Sequence, residues 1–449
     1  MLTRILSLSP SALSLTMAAP ARTPFLLKSI DAAVIGGSSE LYDPRRFDAL
    51  ARWRDPAMNA PQLPVVKMKT PKRFSHPWVF QKMVERATGD AKPKNGSVVD
   101  LVNPDGTWVG RGLYNGHSRI AVRILTENSY EDINEDFFHD RFRRALQLRR
   151  DVLRLEDVTN AYRLVHSEAD GLSGLVIDKF GDLIVIEYFS SGMYRMHKTI
   201  EACLRKFFPE AKIYFFAEEH VQKQESIDIR SPKVPDPVVI EEHGLKFNVA
   251  PGSKHKTGFF CDQRDNRKLL ADMTRGGRVL DICCNSGGFA VYAKALGGAS
   301  EVTGLDLDEE VIELADKNGK MNNAAIKFVH ADLFPWLREA AAKKQNWDTV
   351  VLDPAKQTRS KEDVQTALKK YCDMNRQAIG VVKPGGLFVT FSCTGLVSEE
   401  EFLGSIRRGA FQAQRTVQIF KISGAAGDHP HLVNVPESRY LKAVWARVW

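Results

Sequence analysis

The stretch Arg278-Val-Leu-Asp-Ile-Cys-Cys-Asn-Ser-Gly-Gly-Phe289 decides the fold. An apolar run ends in an acid, Asp281, and passes through a Gly-rich turn into a helix predicted over 287–296. Glycines let backbone approach a ligand closely, and a helix start offers free N–H groups. The turn is not a GxGxxG cradle, and alone it is a weak signal. The spacing of the next elements strengthens it. A strand over 301–305 ends at Asp306, 25 residues after Asp281, and a helix is predicted over 309–322. Further strands over 326–329, 349–352 and 387–391 end at Asp332, Asp353–Pro354 and Ser392–Cys393. Strand and helix in alternation predict a doubly wound, mostly parallel α/β sheet of Rossmann-like form. Ligands bind such sheets outside the carboxyl ends of the strands, where the acids and Cys393 all fall.

Each strand end suits a task. Asp306 can accept both ribose hydroxyls of a nucleoside cofactor. Asp332 is a candidate for the adenine amino group. Asp353 lies where a substrate would meet the cofactor, and Cys393 is a candidate nucleophile. The plain readings compete: acids at strand ends also cap helices, and most cysteines are buried and inert. Three acids in register favour the cofactor.

Upstream, residues 65–126 predict a small β-rich domain. SVVDLV over 97–102 and RIAVRIL over 119–125 alternate apolar and polar residues, with turn signals at 103–106 and 115–116. Residues 133–156 predict one charged helix. Strands over 174–179 and 182–189 and a helix over 196–208 make residues 133–247 an α+β middle domain. Residues 248–449 hold the doubly wound sheet.

Hydrophobic residues make up 43% of the chain and charged residues 26%, enough apolar material for several cores. No apolar run reaches the 18 residues of a membrane span. Residues 1–126 hold 18 Lys+Arg against 9 Asp+Glu, whereas the other 323 hold 45 against 46. The whole basic excess is therefore N-terminal, which favours a polyanionic partner such as RNA over a merely solvated face. Lys67, Lys69, Lys72 and Arg73 stand beside Trp78, a mixture suited to phosphates and unpaired bases, although the ring also reads as core. Six cysteines without a CxxC pair predict reduced thiols and no metal. Residues 1–60 are set apart as an extension; 1–30, basic, Ser-rich and free of acid, resemble an organellar transit peptide.

Together these residues resemble a known family. Gly258-Phe-Phe-Cys-Asp-Gln-Arg-Asp-Asn-Arg267 is similar to the signature preceding the cofactor fold in bacterial methyltransferases of cytosine C5 in large-subunit ribosomal RNA. Asp281–Phe289, Asp353–Lys356, Ser392–Gly395, Asp428–Pro430 and Tyr440–Lys442 resemble its other motifs, His76–Phe80 its PUA RNA-binding domain, and Ser167–Leu172 its middle domain. The resemblance spans about residues 65–449. It implies a class I methyltransferase domain behind PUA and linker domains, with S-adenosylmethionine as cofactor. It implies that Phe260, Asp262, Gln263, Arg264, Asp281, Asn285, Ser286, Gly287, Asp306, Asp332 and Asp353 hold that cofactor. Cys393 and Asp353 then carry the chemistry. Ala355 departs from the family's Asp-Pro-Pro, which bears on loop rigidity. The partners expected are large-subunit rRNA and no membrane, with a homodimer allowed and the cytoplasm as location, organellar targeting left open. Three rival readings stand. A guanine-N methyltransferase would need no Cys nucleophile. An assembly factor would hold the cofactor without turnover. A dinucleotide oxidoreductase fits the Asp-Pro and Ser-Cys strand ends poorly.

Overall fold

The computed structural model describes residues 63–449, apart from 73, 87–91 and 253–257. The expectations for residues 1–60 and for Arg73 lie outside the described residues.

The N-terminal sheet is built from β1 (Val65–Lys67), β2 (Trp78–Phe80), β3 (Val98–Val102), β4 (Trp108–Tyr114) and β5 (Ile120–Thr126), in the order β1-β3-β4-β5-β2. Alternation in β3 puts Val99 and Leu101 into a core with Val66, Val79 and Val122. This sheet is fastened to the middle region. Leu113 of β4 packs in that region's core, and Asn115 Nδ2 donates to Glu225 Oε2 at 2.9 Å.

The charged helix predicted over 133–156 is shorter. It spans Glu135–Gln147, capped by Asn134, then widens into a π turn over Leu148–Val152 and breaks at Arg154, whose φ is +52°. Arg149 supplies the physical reason. Its buried guanidinium pairs with Asp170 at 2.6 Å and donates to Arg163 O and Asp428 O, so the helix deforms around it. The helix covers a sheet in the order β6 (Ala161–His166), β7 (Leu175–Phe180), β8 (Leu183–Tyr188), β9 (Lys212–Phe216). A hairpin, β10 (Val238–Glu242) and β11 (Leu245–Val249), leads out of it.

The large sheet comprises β12 (Arg278–Ile282), β13 (Glu301–Asp306), β14 (Lys327–His330), β15 (Trp347–Leu352), β16 (Val382–Ser392), β17 (Val417–Ser423) and β18 (Lys442–Val448). Its order is β14-β13-β12-β15-β16-β18-β17. The first five strands run parallel, and β18 lies antiparallel between β16 and β17. From β12 the chain winds outward to β13 and β14, then returns to the other side of β12 as β15. That reversal opens a crevice at the carboxyl ends of β12 and β15. Strand β16 starts earlier than 387 because its register with β15 slips after Val382 and resumes at Leu387, leaving the Pro-Gly-Gly turn as an irregularity inside the strand. No helix among the described residues is long and apolar enough to cross a membrane.

Candidate active site

The turn after β12 is held under strain. Cys283, Asn285 and Gly287 all have left-handed backbone, with φ of +61°, +48° and +79°. For the two non-glycine residues this costs energy, and such strain gathers where a loop must take a functional shape. At Gly287 a Cβ would come within 2.9 Å of the Phe328 ring, so only glycine fits. Asp281 is fully buried; one oxygen accepts from Ala290 N–H at 3.0 Å and the other has no hydrogen-bond partner. Asp306 accepts Asn285 N–H at 2.9 Å and Asp308 N–H at 3.1 Å, one bond per oxygen, which leaves lone pairs for hydroxyl donors. Ser286 offers its carbonyl to Asn318 Nδ2 at 2.9 Å. Asp332 caps the helix Leu333–Ala342 through Phe334 N–H, on the surface.

The segment before β12 closes the crevice. Phe260, 37% exposed, precedes a short turn over Cys261–Gln263. Gln263 Nε2 donates to Asp353 Oδ2 at 2.9 Å, and Tyr440 OH donates to Asp262 Oδ2 at 2.5 Å. The other oxygen of Asp262 is buried without a hydrogen-bond partner. Arg264 is a different case. Its guanidinium is 1% exposed and is taken up by Asp428, Glu242 and Ala161 O. Arg264 therefore belongs to the support of the segment rather than to the cofactor's own contacts, a correction to the expectation.

Parallel pairing of β15 with β16 brings the last two motifs together. Cys393 Sγ lies 4.0 Å from Pro354 O, next to Asp353. Thr394 anchors the loop by accepting Gln357 N–H at 3.0 Å and sharing a 2.8 Å bond with Tyr371 OH. Beneath the loop, buried Lys442 donates to Thr394 O and Val397 O, both at 2.8 Å. Burial pulls its ammonium down to about 8, and the nearby Cys393 opposes that shift. The sequence motifs include Tyr440 and Lys442 but assign them no role; their place beneath the site is a matter of the antiparallel β18. The other thiols near the turn are poor rivals. Burial, then neighbouring carboxylates, holds Cys283 and Cys284 in the thiol form.

Carboxylates crowd this crevice. Burial, followed by the charge of Asp353, pushes Asp281 up to about 8, while burial and then Asp262 push Asp353 up to about 7. A ligand with positive charge relieves that crowding, and the unsatisfied oxygens of Asp281 and Asp262 can take donors. S-adenosylmethionine, with its ammonium and sulfonium, fits such a set of acceptors.

These shifts set a pH dependence. A native carboxyl raised above its unfolded value keeps a proton that the unfolded chain has released, so its stabilisation is full only below the unfolded value of 3.8 and is lost progressively as pH rises from there through 7 to 8. His166 acts oppositely: burial, then the His429 charge, depresses it well below 6.5, so stability falls as pH drops below about 6.5. The ligand-free protein should show an alkaline limb, its melting temperature falling as pH rises from about 6.5, where His166 is neutral in both states, to about 8. Asp281→Asn should flatten the alkaline limb, as read by thermal denaturation across that range.

The basic residues expected to meet RNA divide. Lys67 is exposed and Lys69 Nζ donates to Lys82 O on the surface. Lys72, with its side chain 6% exposed, pairs with Glu127 at 2.9 Å. Trp78 donates to Glu168 at 2.8 Å and packs edge-on against His76 and Phe80. Lys72 and Trp78 therefore serve the fold, a correction that favours the plain reading of the ring.

Known proteins add to this geometry. Residues 71–127 match a PUA-like domain, and residues 279–386 match a methyltransferase domain. The ribosomal RNA large subunit methyltransferase I of Aeromonas hydrophila is 38% identical over 381 residues, covering 83% of this chain and 95% of that protein. The chain belongs to the ribosomal RNA large subunit methyltransferase I family. The protein of that name from Photobacterium profundum is 36% identical over 378 residues, covering 82% and 94%. Among solved structures, the methyltransferase SMU.776, crystallised with SAH, superposes with a TM-score of 0.69 at 23% identity, covering 79% of this chain and 92% of that one. The fold of this family member is therefore the class I fold of S-adenosylmethionine-dependent methyltransferases.

Proposed function

We propose that the protein forms 5-methylcytosine in large-subunit ribosomal RNA, with Cys393 as nucleophile. The observation that carries the reading is the adjacency of Cys393 to Asp353–Pro354 at the crevice, over the buried ammonium of Lys442. Asp281, Asp306 and Asp262, with Phe260, Gln263 and the turn from Asn285 to Gly287, would hold the cofactor, and Asp332 the adenine. S-adenosylmethionine supplies an electrophilic methyl group when bound.

Cytosine C5 is a poor carbon nucleophile. Addition of the Cys393 thiolate to C6 moves the ring electrons toward C5, which becomes enamine-like and takes the methyl. A base then removes the C5 proton, the C6–S bond breaks and the thiolate returns. Asp353, pushed up to about 7, is poised to share a proton with N3 and steady the adduct. The domain division of 65–126, 133–247 and 248–449 gives RNA capture, a linker and chemistry.

Nucleoside mass spectrometry on large-subunit rRNA incubated with protein and S-adenosylmethionine tests the reading. A rise in 5-methylcytidine is expected. Methylated guanosine would overturn the target and the role of Cys393, and no methylated product on rRNA or its precursor particles would favour an assembly factor.

A further inference from the structure

Directly after Asp353–Pro354 the chain lines an open cleft of about 510 Å³. Its walls bring Lys356, Arg359 and Lys370 against a single acid, Asp363, and all three cations are exposed. Arg359 reaches Glu218 at 3.7 Å, a long surface pair of little strength. The cleft is joined to the nucleophile loop. Gln357 in its wall donates its N–H to Thr394, one residue beyond Cys393. Next to the cleft in sequence, the Glu362 carboxyl is held low first by Ser360 and then, among charges, by Arg119 and Lys361.

A base drawn out of a strand to reach Cys393 carries its flanking phosphates to that mouth. We propose that the Lys356–Arg359–Lys370 cleft holds the RNA backbone beside the target cytosine, as a phosphate subsite separate from the surface lysines of the PUA-like domain. The proposal rests on the reading of the chain as an RNA methyltransferase. It assigns positioning of the strand to a wall of the methyltransferase domain, contiguous with the chemistry.

The test is a salt titration of binding. A fluorescent single-stranded cytidine-rich RNA of about 12 nucleotides spans such a site. Binding of this probe to the full chain and to an Arg359→Gln, Lys370→Gln double variant would be followed by anisotropy. Loss of two phosphate contacts should reduce the slope of log K against log salt by about 1.4, at about 0.7 per phosphate for single strands. Asp363→Asn, which removes the cleft's acid and makes no side-chain cap, should tighten binding. Melting temperature and S-adenosylmethionine affinity should stay unchanged in both. Equal slopes and affinities for the parent and double variant would overturn the subsite even if 5-methylcytidine forms. A reduced slope without any methylated product would leave the subsite standing and sink the proposed reaction instead.

Discussion

Cys393→Ala removes methyl transfer, with a loss on the order of 10³-fold or more, and leaves S-adenosylmethionine affinity unchanged. The magnitude comes from the chemistry. Without a thiolate at C6, C5 must attack as an aromatic carbon, and no other group among the described residues of the crevice can replace the adduct. Cys283 and Cys284 are held as neutral thiols, and Lys442 is engaged beneath the loop with two carbonyls. Cofactor affinity is spared because the candidate cofactor acids, Asp281 and Asp306, lie on β12 and β13, whereas Cys393 follows β16. A second measurement isolates the covalent step. RNA with 5-fluorocytidine cannot lose a proton from C5, so the parent protein should remain bonded to it through denaturing electrophoresis. The alanine variant should not. Normal turnover by Cys393→Ala would remove the nucleophile and, with it, the case for cytosine over guanine.

The strand ends are legible in the sequence because each one combines an apolar run with a polar stop, and those signals are local. Arg278–Ile282 is a strand with the predicted bounds, and the helix after it differs by one residue at each end. Other features are not legible. The π turn at Leu148–Val152 depends on a partner, Asp428, that lies 279 residues from Arg149 in the chain. The antiparallel insertion of β18 between β16 and β17 has no local signature, since its apolar run KAVWARV fits an edge or a centre equally. Lys72 and Trp78 read as an RNA surface because composition does not reveal which way a side chain turns. Glu127 and Glu168, their partners, stand 55 and 90 residues away. Arg264 misleads for the same reason. It sits within the motif that lines the crevice, while its guanidinium looks the other way into Asp428 and Glu242.

That buried network should give the largest stability effect in the molecule. Asp428 is fully buried and accepts from both terminal nitrogens of Arg264, at 3.1 and 3.0 Å, and from Arg163 N–H at 2.9 Å. Glu242, also fully buried, is shared between Arg264 at 3.2 Å and Arg267 at 2.6 Å. In Asp428→Ala two buried guanidiniums are left with one carboxylate, and an uncompensated buried charge costs about 3–5 kcal/mol. In a chain of this size that corresponds to a melting temperature lower by roughly 3–5 °C. Asp428→Asn keeps an acceptor but not the charge and should fall between. Glu219→Gln, which breaks an exposed pair with Lys223, should shift nothing measurable. The effect should reach the site as well. Arg264 and Arg267 fix the helix that starts beside Gln263, and Gln263 holds Asp353, so loosening them should weaken cofactor binding at temperatures where the variant is still folded. A melting temperature unchanged in Asp428→Ala would mean that water or a rearranged Glu242 satisfies Arg264, and that the C-terminal loop is not what holds the cofactor segment in place.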